Sequence, residues 1–320
     1  MKTNAKKVFA LLVVLAMCFS LAACGSTSST SSESTSAAAS APATTTTQSE
    51  TTETASEPAT ISGSVTASGS SALLPLAQAA SEAYMDKNPD LSIVVNGGGS
   101  GTGLKQVAEG SVDIGNSDVF AAEKLDEAAA KDLVDHKVCT IAMAAVVNKD
   151  LGISSLTTDQ LTDIFTGKVK NWREVGGPDL DVMLVTRPTS SGTRALFKTW
   201  ALKGVEEASE SALETDDSGT LMETVQSNAG AIGYVALSYL VNNDNVTPVA
   251  IDGVAPTLEN MYNGSYLVWG YEHMYTKGEG SEAAQAFISY MMSDEFAPSI
   301  EAMGYGASSK LTDAAIDTHK

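Results

Sequence analysis

Three short segments of this 320-residue chain share a construction suited to holding an oxyanion. In the first, Val65-Thr66-Ala67 runs into Ser68-Gly69-Ser70-Ser71-Ala72, followed by Leu73, Leu76, Ala80 and Tyr84 at helical spacing. In the second, Leu91-Ser92-Ile93-Val94-Val95 runs into Gly97-Gly98-Gly99-Ser100-Gly101-Thr102-Gly103, followed by Leu104, Val107 and Ala108. In the third, residues 182–186 run into Arg187-Pro188-Thr189-Ser190-Ser191-Gly192-Thr193, followed by Ala195, Leu196, Phe197 and Trp200. Each reads as a strand, a small hydroxyl-rich turn and a helix start. A helix N-terminus presents unpaired backbone N–H groups and the positive end of the dipole. Glycine lets an anion approach that backbone, and Ser or Thr adds a hydroxyl donor. One such loop is equally an ordinary cap and turn. Three of them, one carrying Arg187, point to a convergent anion site.

Other chemistries find less support. A phosphate-binding P-loop needs Lys after its second glycine, but Leu104 follows Gly103. The dinucleotide fingerprint is not satisfied in Gly97–Gly103, and no G-x-S-x-G nucleophile elbow occurs in the loops around Ser71 or Ser100. His136, His273 and His319 stand apart without metal-ligand spacing and read as surface or capping residues. No catalytic residue, metal site or cofactor is expected.

The elements that must position the loops follow from periodicity. Strands are predicted at residues 64–66, 91–95, 138–147, 182–186, 231–235 and 266–269. Helices are predicted at 73–87, 103–109, 158–166, 195–202, 221–227 and 282–292. This alternation indicates an α/β protein with a mostly parallel sheet, and about 260 residues from Ile61 onward suffice for two lobes. The chain has 19 basic and 39 acidic residues, a formal charge of −20 and a pI near 4.4. Such a chain lacks the basic surface that displaces counterions from nucleic acid. Three cysteines exclude a disulfide-stapled scaffold.

The first sixty residues are address and tether. Lys2, Lys6 and Lys7 precede an apolar run at residues 8–19, the pattern of a secretory signal. Leu21-Ala22-Ala23-Cys24-Gly25 resembles the lipobox of bacterial lipoproteins, with cleavage before Cys24 and lipidation of that cysteine. Residues 25–60 hold 21 Ser or Thr and no basic residue, a composition that cannot offset its ordering entropy and stays disordered. Cys139, in Val138-Cys139-Thr140-Ile141-Ala142, reads as a buried strand cysteine.

The folded part, from about Ile61 to Ala307, resembles the PstS family, the phosphate-binding proteins of bacterial phosphate ABC importers. The resemblance rests on Gly69-Ser70-Ser71, Gly99-Ser100-Gly101-Thr102-Gly103, Val112-Asp113-Ile114-Gly115-Asn116-Ser117-Asp118 and Arg187 through Thr193. Ile164-Phe165-Thr166-Gly167-Lys168, Asn171-Trp172 and Gly230-Ala231-Ile232-Gly233-Tyr234-Val235 support it. It implies phosphate contacts from Ser71, the N–H of Ala72, Ser100, Asp118, Arg187, Ser191, Gly192 and Thr193, with Arg194 as outer support. Several relatives carry Thr and an aromatic residue where this chain has Ser71 and Ala72, which alters the pocket wall. The implied fold is a two-lobed periplasmic-binding-protein fold of the second type with the ligand in a hinged cleft. Residues 1–23 would be the signal and 24–60 the tether. Lobe one would span 61–145 and 266–320, and lobe two 146–265. The implied role is a monomeric, lipid-anchored receptor on the outer face of a Gram-positive-type cell membrane. It would pass inorganic phosphate to membrane permease subunits driven by a cytoplasmic ATPase. Receptors for sulfate, molybdate or phosphonate, and a surface phosphatase or hydrolase, are the competing readings.

Overall fold

The computed structural model describes residues 61–319 apart from 209, 211 and 212, so the leader, Cys24 and the tether lie outside the described residues. In the first part, β1 (Gly63–Gly69), α1 (Leu74–Lys87), β2 (Leu91–Asn96), α2 (Ser100–Glu109), β3 (Ile114–Ser117) and α3 (Glu127–Lys131) lead to the long strand β4 (Leu133–Asn148). Next come β5 (Ser155–Leu156), α4 (Thr158–Phe165), β6 (Met183–Thr186), α5 (Gly192–Trp200), β7 (Leu213–Glu214) and α6 (Ser218–Ser227). They are followed by β8 (Ala231–Ala236), β9 (Val246–Pro248), β10 (Ala250–Ile251) and α7 (Leu258–Tyr262). The chain then returns through β11 (Trp269–Lys277), α8 (Glu282–Met291), α9 (Ala297–Ala302) and α10 (Asp313–Asp317). Among the described residues no helix is long and apolar enough to cross a membrane.

The main sheet has the order β2-β1-β3-β11-β4-β8-β6-β7, with β9 also on β4. Helical crossovers make β1 parallel to β2 and β3, and β6 parallel to β8 and β7. The middle of the sheet departs from the expected mostly parallel arrangement. There β11 runs antiparallel to β3 and β4, and β4 runs antiparallel to β8 and β9. Strand β4 changes partner along its length: Leu133 through Ala142 pair with β11, and Met143 through Val147 with β8. Its residues from Val138 to Asn148 are all buried, which accounts for their near-continuous apolar run, and Cys139 lies buried within it as read.

Two further differences from the periodicity are instructive. The strand expected at 266–269 begins only at Trp269 and extends to Lys277. Glu272 and His273 break its apolar pattern, yet β11 is a central strand and both residues are buried. His273 is therefore no surface or capping histidine; its Nδ1 pairs with Asp135 at 2.7 Å. Helices α2, α5 and α6 each start three residues before the expected position, at Ser100, Gly192 and Ser218. The apolar stripe marks where a helix packs; its first turn is set by the capping residue, here Gly99, Ser191 and Asp217. Residues read as turn thus occupy first helical turns, where N–H groups are free of intrahelical partners.

Helix α5 is held along its length. Phe197 stacks on Tyr234 of β8 with ring centroids 4.2 Å apart. At its far end the Trp200 ring lies 3.8 Å from His319, whose other face lies 3.9 Å from Trp269 at the start of β11. Burial in this stack lowers the His319 pKa to about 4.

Candidate anion-binding site

The first loop leaves β1 at Gly69, whose φ of 138° and contact with the Asn116 backbone admit only glycine. Ser70 Oγ accepts from the N–H groups of Ala72 and Leu73 at 3.1 and 2.9 Å, so it caps the entry to α1. The Ala72 N–H, expected to face the ligand, is thereby engaged by Ser70. Ser71 is buried; its hydroxyl donates to the Asp216 carbonyl at 2.7 Å and stands 3.1 Å from Ser218 Oγ.

In the second loop Gly99 (φ 86°) caps α2, and a side chain there would run into the Asp216 carboxylate. Ser100 Oγ, also buried, accepts from the Asp118 N–H at 3.0 Å. Gly103 lets α2 pack directly on β1, since a Cβ would come 2.6 Å from Gly69 Cα. Asp113, earlier in the Asp118 segment, accepts from the Thr66 N–H and hydroxyl, both at 2.8 Å, and so serves β1.

The third loop follows β6. Arg187 has no exposed surface. Its Nη1 donates to the Asp216 carbonyl at 3.0 Å and its Nη2 to Ser218 Oγ at 2.9 Å, while Nε and Nη2 reach the Tyr234 carbonyl at 3.4 and 3.3 Å. A longer contact of 3.5 Å links Nη1 to Ser71 Oγ. Arg194 donates to the Arg187 carbonyl and sits among Glu206, Glu207 and Glu214, matching the supporting place expected of it. Ser191 caps α5, with the Arg194 N–H 3.4 Å from its hydroxyl. Gly192 lies so close to the second loop that a Cβ would clash with Ser100 Oγ and stand 2.8 Å from Ser100 Cβ. Thr193 Oγ1 donates to Asp118 Oδ2 at 2.7 Å.

The structure thus brings together all eight residues expected at the site. It adds five others. Lys124 Nζ donates to the carbonyls of Thr189 and Ser191 at 2.8 and 3.0 Å, pinning the third loop from the β3 side, and burial lowers its pKa. Gly101 N–H donates to Ser190 O at 2.9 Å across the same gap. Glu272 is fully buried, and its pKa is raised well above the carboxylate range by burial and then by the charge of Asp118. Asp216 and Ser218 belong to a fourth turn of the same construction, Thr215-Asp216-Asp217-Ser218-Gly219-Thr220, which runs from β7 into the first turn of α6. A two-residue strand hid it from periodicity, though its hydroxyls and glycine were legible.

Chemically, the site offers the buried guanidinium of Arg187, several hydroxyls and helix N-termini, together with the carboxylates of Asp118 and Asp216. The carboxylates matter as much as the donors, because an ionised carboxylate only accepts hydrogen bonds.

Comparison with known proteins places these features. Residues 29–295 match the model of the PBP superfamily domain. The chain is 51% identical over 231 residues to the phosphate-binding protein PstS of Bacillus subtilis (strain 168), covering 72% of this chain and 76% of that one. It also resembles the crystal structure of a putative phosphate ABC transporter substrate-binding protein with bound phosphate from Clostridium perfringens. That likeness has a TM-score of 0.70 and 33% identity, over 77% of this chain and 99% of the other. An ABC-type phosphate transport receptor from Vibrio cholerae matches with a TM-score of 0.61 and 25% identity, over 77% and 100% of the two chains.

Proposed function

The chain belongs to the PBP superfamily and, within it, to the PstS family, and on that premise we propose that it captures inorganic phosphate outside the cytoplasm and delivers it to an ABC importer. The observation that carries this reading is the placement of Arg187 and Asp118, both buried, among the same loops, with Arg187 beside Ser71 and Asp118 bonded to Ser100 and Thr193. Arg187 supplies charge-assisted donors to any oxyanion. Asp118 supplies the discrimination. Phosphate near neutral pH still carries a proton and can donate it to a carboxylate; sulfate has none to give and meets Asp118 as unpaired like charge.

The remaining assignments complete the proposal. Ser71, Ala72, Ser100, Asp118, Arg187, Ser191, Gly192 and Thr193 form the phosphate shell. Residues 61–145 with 266–320, and residues 146–265, act as two lobes that close on the ligand. Cys24 carries the lipid anchor, residues 25–60 tether the monomer to the outer face of the membrane, and permease subunits with a cytoplasmic ATPase receive the phosphate. The protein binds and releases its ligand without turnover.

The test is calorimetric titration of dialysed protein with phosphate, arsenate and sulfate. Phosphate and arsenate, alike in protonation, bind; sulfate does not. Sulfate binding as tight as phosphate refutes the reading, and hydrolysis of an aryl phosphate refutes the absence of turnover. In Asp118→Ala the preference for phosphate over sulfate narrows.

A further inference from the structure

Asp216 stands where three loops meet, yet nothing in the phosphate shell calls for it. Its carbonyl accepts from Ser71 Oγ at 2.7 Å and from Arg187 Nη1 at 3.0 Å, so a single residue engages two of the donors assigned to the anion. Its carboxylate lies against Gly99 at the N-terminus of α2, and Oδ1 is 3.8 Å from Arg187 Nη1. Both carboxylate oxygens are buried, and neither makes a hydrogen bond of good geometry. Burial raises its pKa, with Ser191 and Arg187 acting in the opposite sense.

A carboxylate that orients an arginine makes short, forked bonds with it. This one stands off from the guanidinium and leaves its own oxygens poorly satisfied, a costly state for a desolvated charge. Arg187 also needs no such orientation, since Tyr234, Ser218 and the Asp216 carbonyl already fix it. The carboxylate therefore holds an anion's surroundings, a cation and a helix N-terminus, while gaining little from them.

We propose that Asp216 is a built-in competitor of the bound anion, whose side chain must leave Arg187 and the α2 N-terminus before phosphate is seated. This rests on the phosphate reading above. Two negative groups cannot share the cation and the helix end without mutual repulsion. Moving the Asp216 side chain toward water relieves its own desolvation, so displacement is easy. The arrangement lowers apparent affinity by the fraction of time the seat is open; a seat open about one tenth of the time weakens binding about tenfold.

The experiment compares phosphate titrations of the wild type, Asp216→Asn and Asp216→Ser. Asparagine removes the charge, and serine, which also removes the reach, decides the matter if the first variant melts abnormally. Binding about tenfold tighter than wild type is expected. In a phosphate-loaded crystal the wild-type Asp216 carboxylate is expected away from Gly99 and Arg187. Equal or weaker binding by the variants, or a carboxylate still in place beside bound phosphate, overturns the inference while the phosphate reading stands. A wild type that takes up no phosphate brings down both.

Discussion

Thr193 Oγ1 donates to Asp118 Oδ2 at 2.7 Å, although Thr193 follows β6 and Asp118 follows β3, four places apart in the strand order. The bond joins the third loop to the carboxylate that discriminates among oxyanions. It also satisfies one oxygen of a residue only 2% exposed, whose other oxygen has no protein partner. Thr193→Val keeps the shape and removes the donor. The variant also lacks the hydroxyl that the proposed shell assigns to phosphate, and a hydrogen bond contributes about 0.5–1.5 kcal/mol, so phosphate binding should weaken up to roughly tenfold, and Thr193→Ser should restore it. Calorimetry on the two variants checks this; wild-type affinity in Thr193→Val would show the bond to be incidental.

Arg187 is the site's buried cation, and its loss should be felt most. A hydrogen bond to a charged group contributes about 1.5–3 kcal/mol. Arg187→Ala is expected to bind phosphate at least about tenfold more weakly, and Arg187→Lys to fall short of wild type. A lysine cannot reach the Asp216 carbonyl, Ser218 and the Tyr234 carbonyl together as the guanidinium does. Equilibrium titration of both variants decides, and unchanged affinity in either contradicts the assignment.

Gly192 has ordinary helical geometry but no room for a side chain, because Ser100 and Asp118 stand against it. Overpacking of this kind costs about 1–3 kcal/mol. The cost falls where the second and third loops meet, so Gly192→Ala should lose phosphate affinity roughly tenfold. Titration with phosphate, alongside a thermal melt to confirm folding, measures the loss. Full affinity would mean that the two loops part on binding.

Glu207 gives a prediction in pH. Its carboxyl accepts from the Tyr234 hydroxyl at 2.7 Å, and burial raises its pKa from 4.5 to about 7. The folded state therefore holds the proton more tightly than the unfolded chain. The associated stability is complete below pH 4.5 and is lost as the pH rises through about 7. The loss is on the order of 3 kcal/mol. Glu207→Gln should abolish this dependence, so that its melting temperature changes less than the wild type's between pH 5 and pH 8. Parallel slopes in the two proteins would disprove it.

What the chain revealed in advance was what is local. The hydroxyl-and-glycine turns around Ser71, Ser100 and Ser191 could be read because a helix start and its cap lie within a few residues of each other. Arg187 was legible in the third loop itself, Asp118 entered through resemblance, and the structure brings them to the same site. Lys124 was silent because its partners lie 65 and 67 positions away and are backbone carbonyls, which carry no mark in a sequence. Glu272 was silent for a different reason. A glutamate in a half-polar run reads as exposed, and only the placement of β11 between β3 and β4 makes it a core residue. The strand itself was misplaced for the same cause. Asp216 was missed because β7 has two residues, too few to show a period.

The ring stack at the far end of α5 gives the protein an optical signal of its own. Gly192 and Thr193 form the site end of that helix, and Trp200 at the other end shares His319 with Trp269. Two of the chain's three tryptophans thus flank a single imidazole. Any tilt or slide of α5 when its first turn takes hold of an anion changes the overlap of those rings and the quenching of their emission. Ligand uptake can be followed by intrinsic fluorescence, without a dye and without altering a residue.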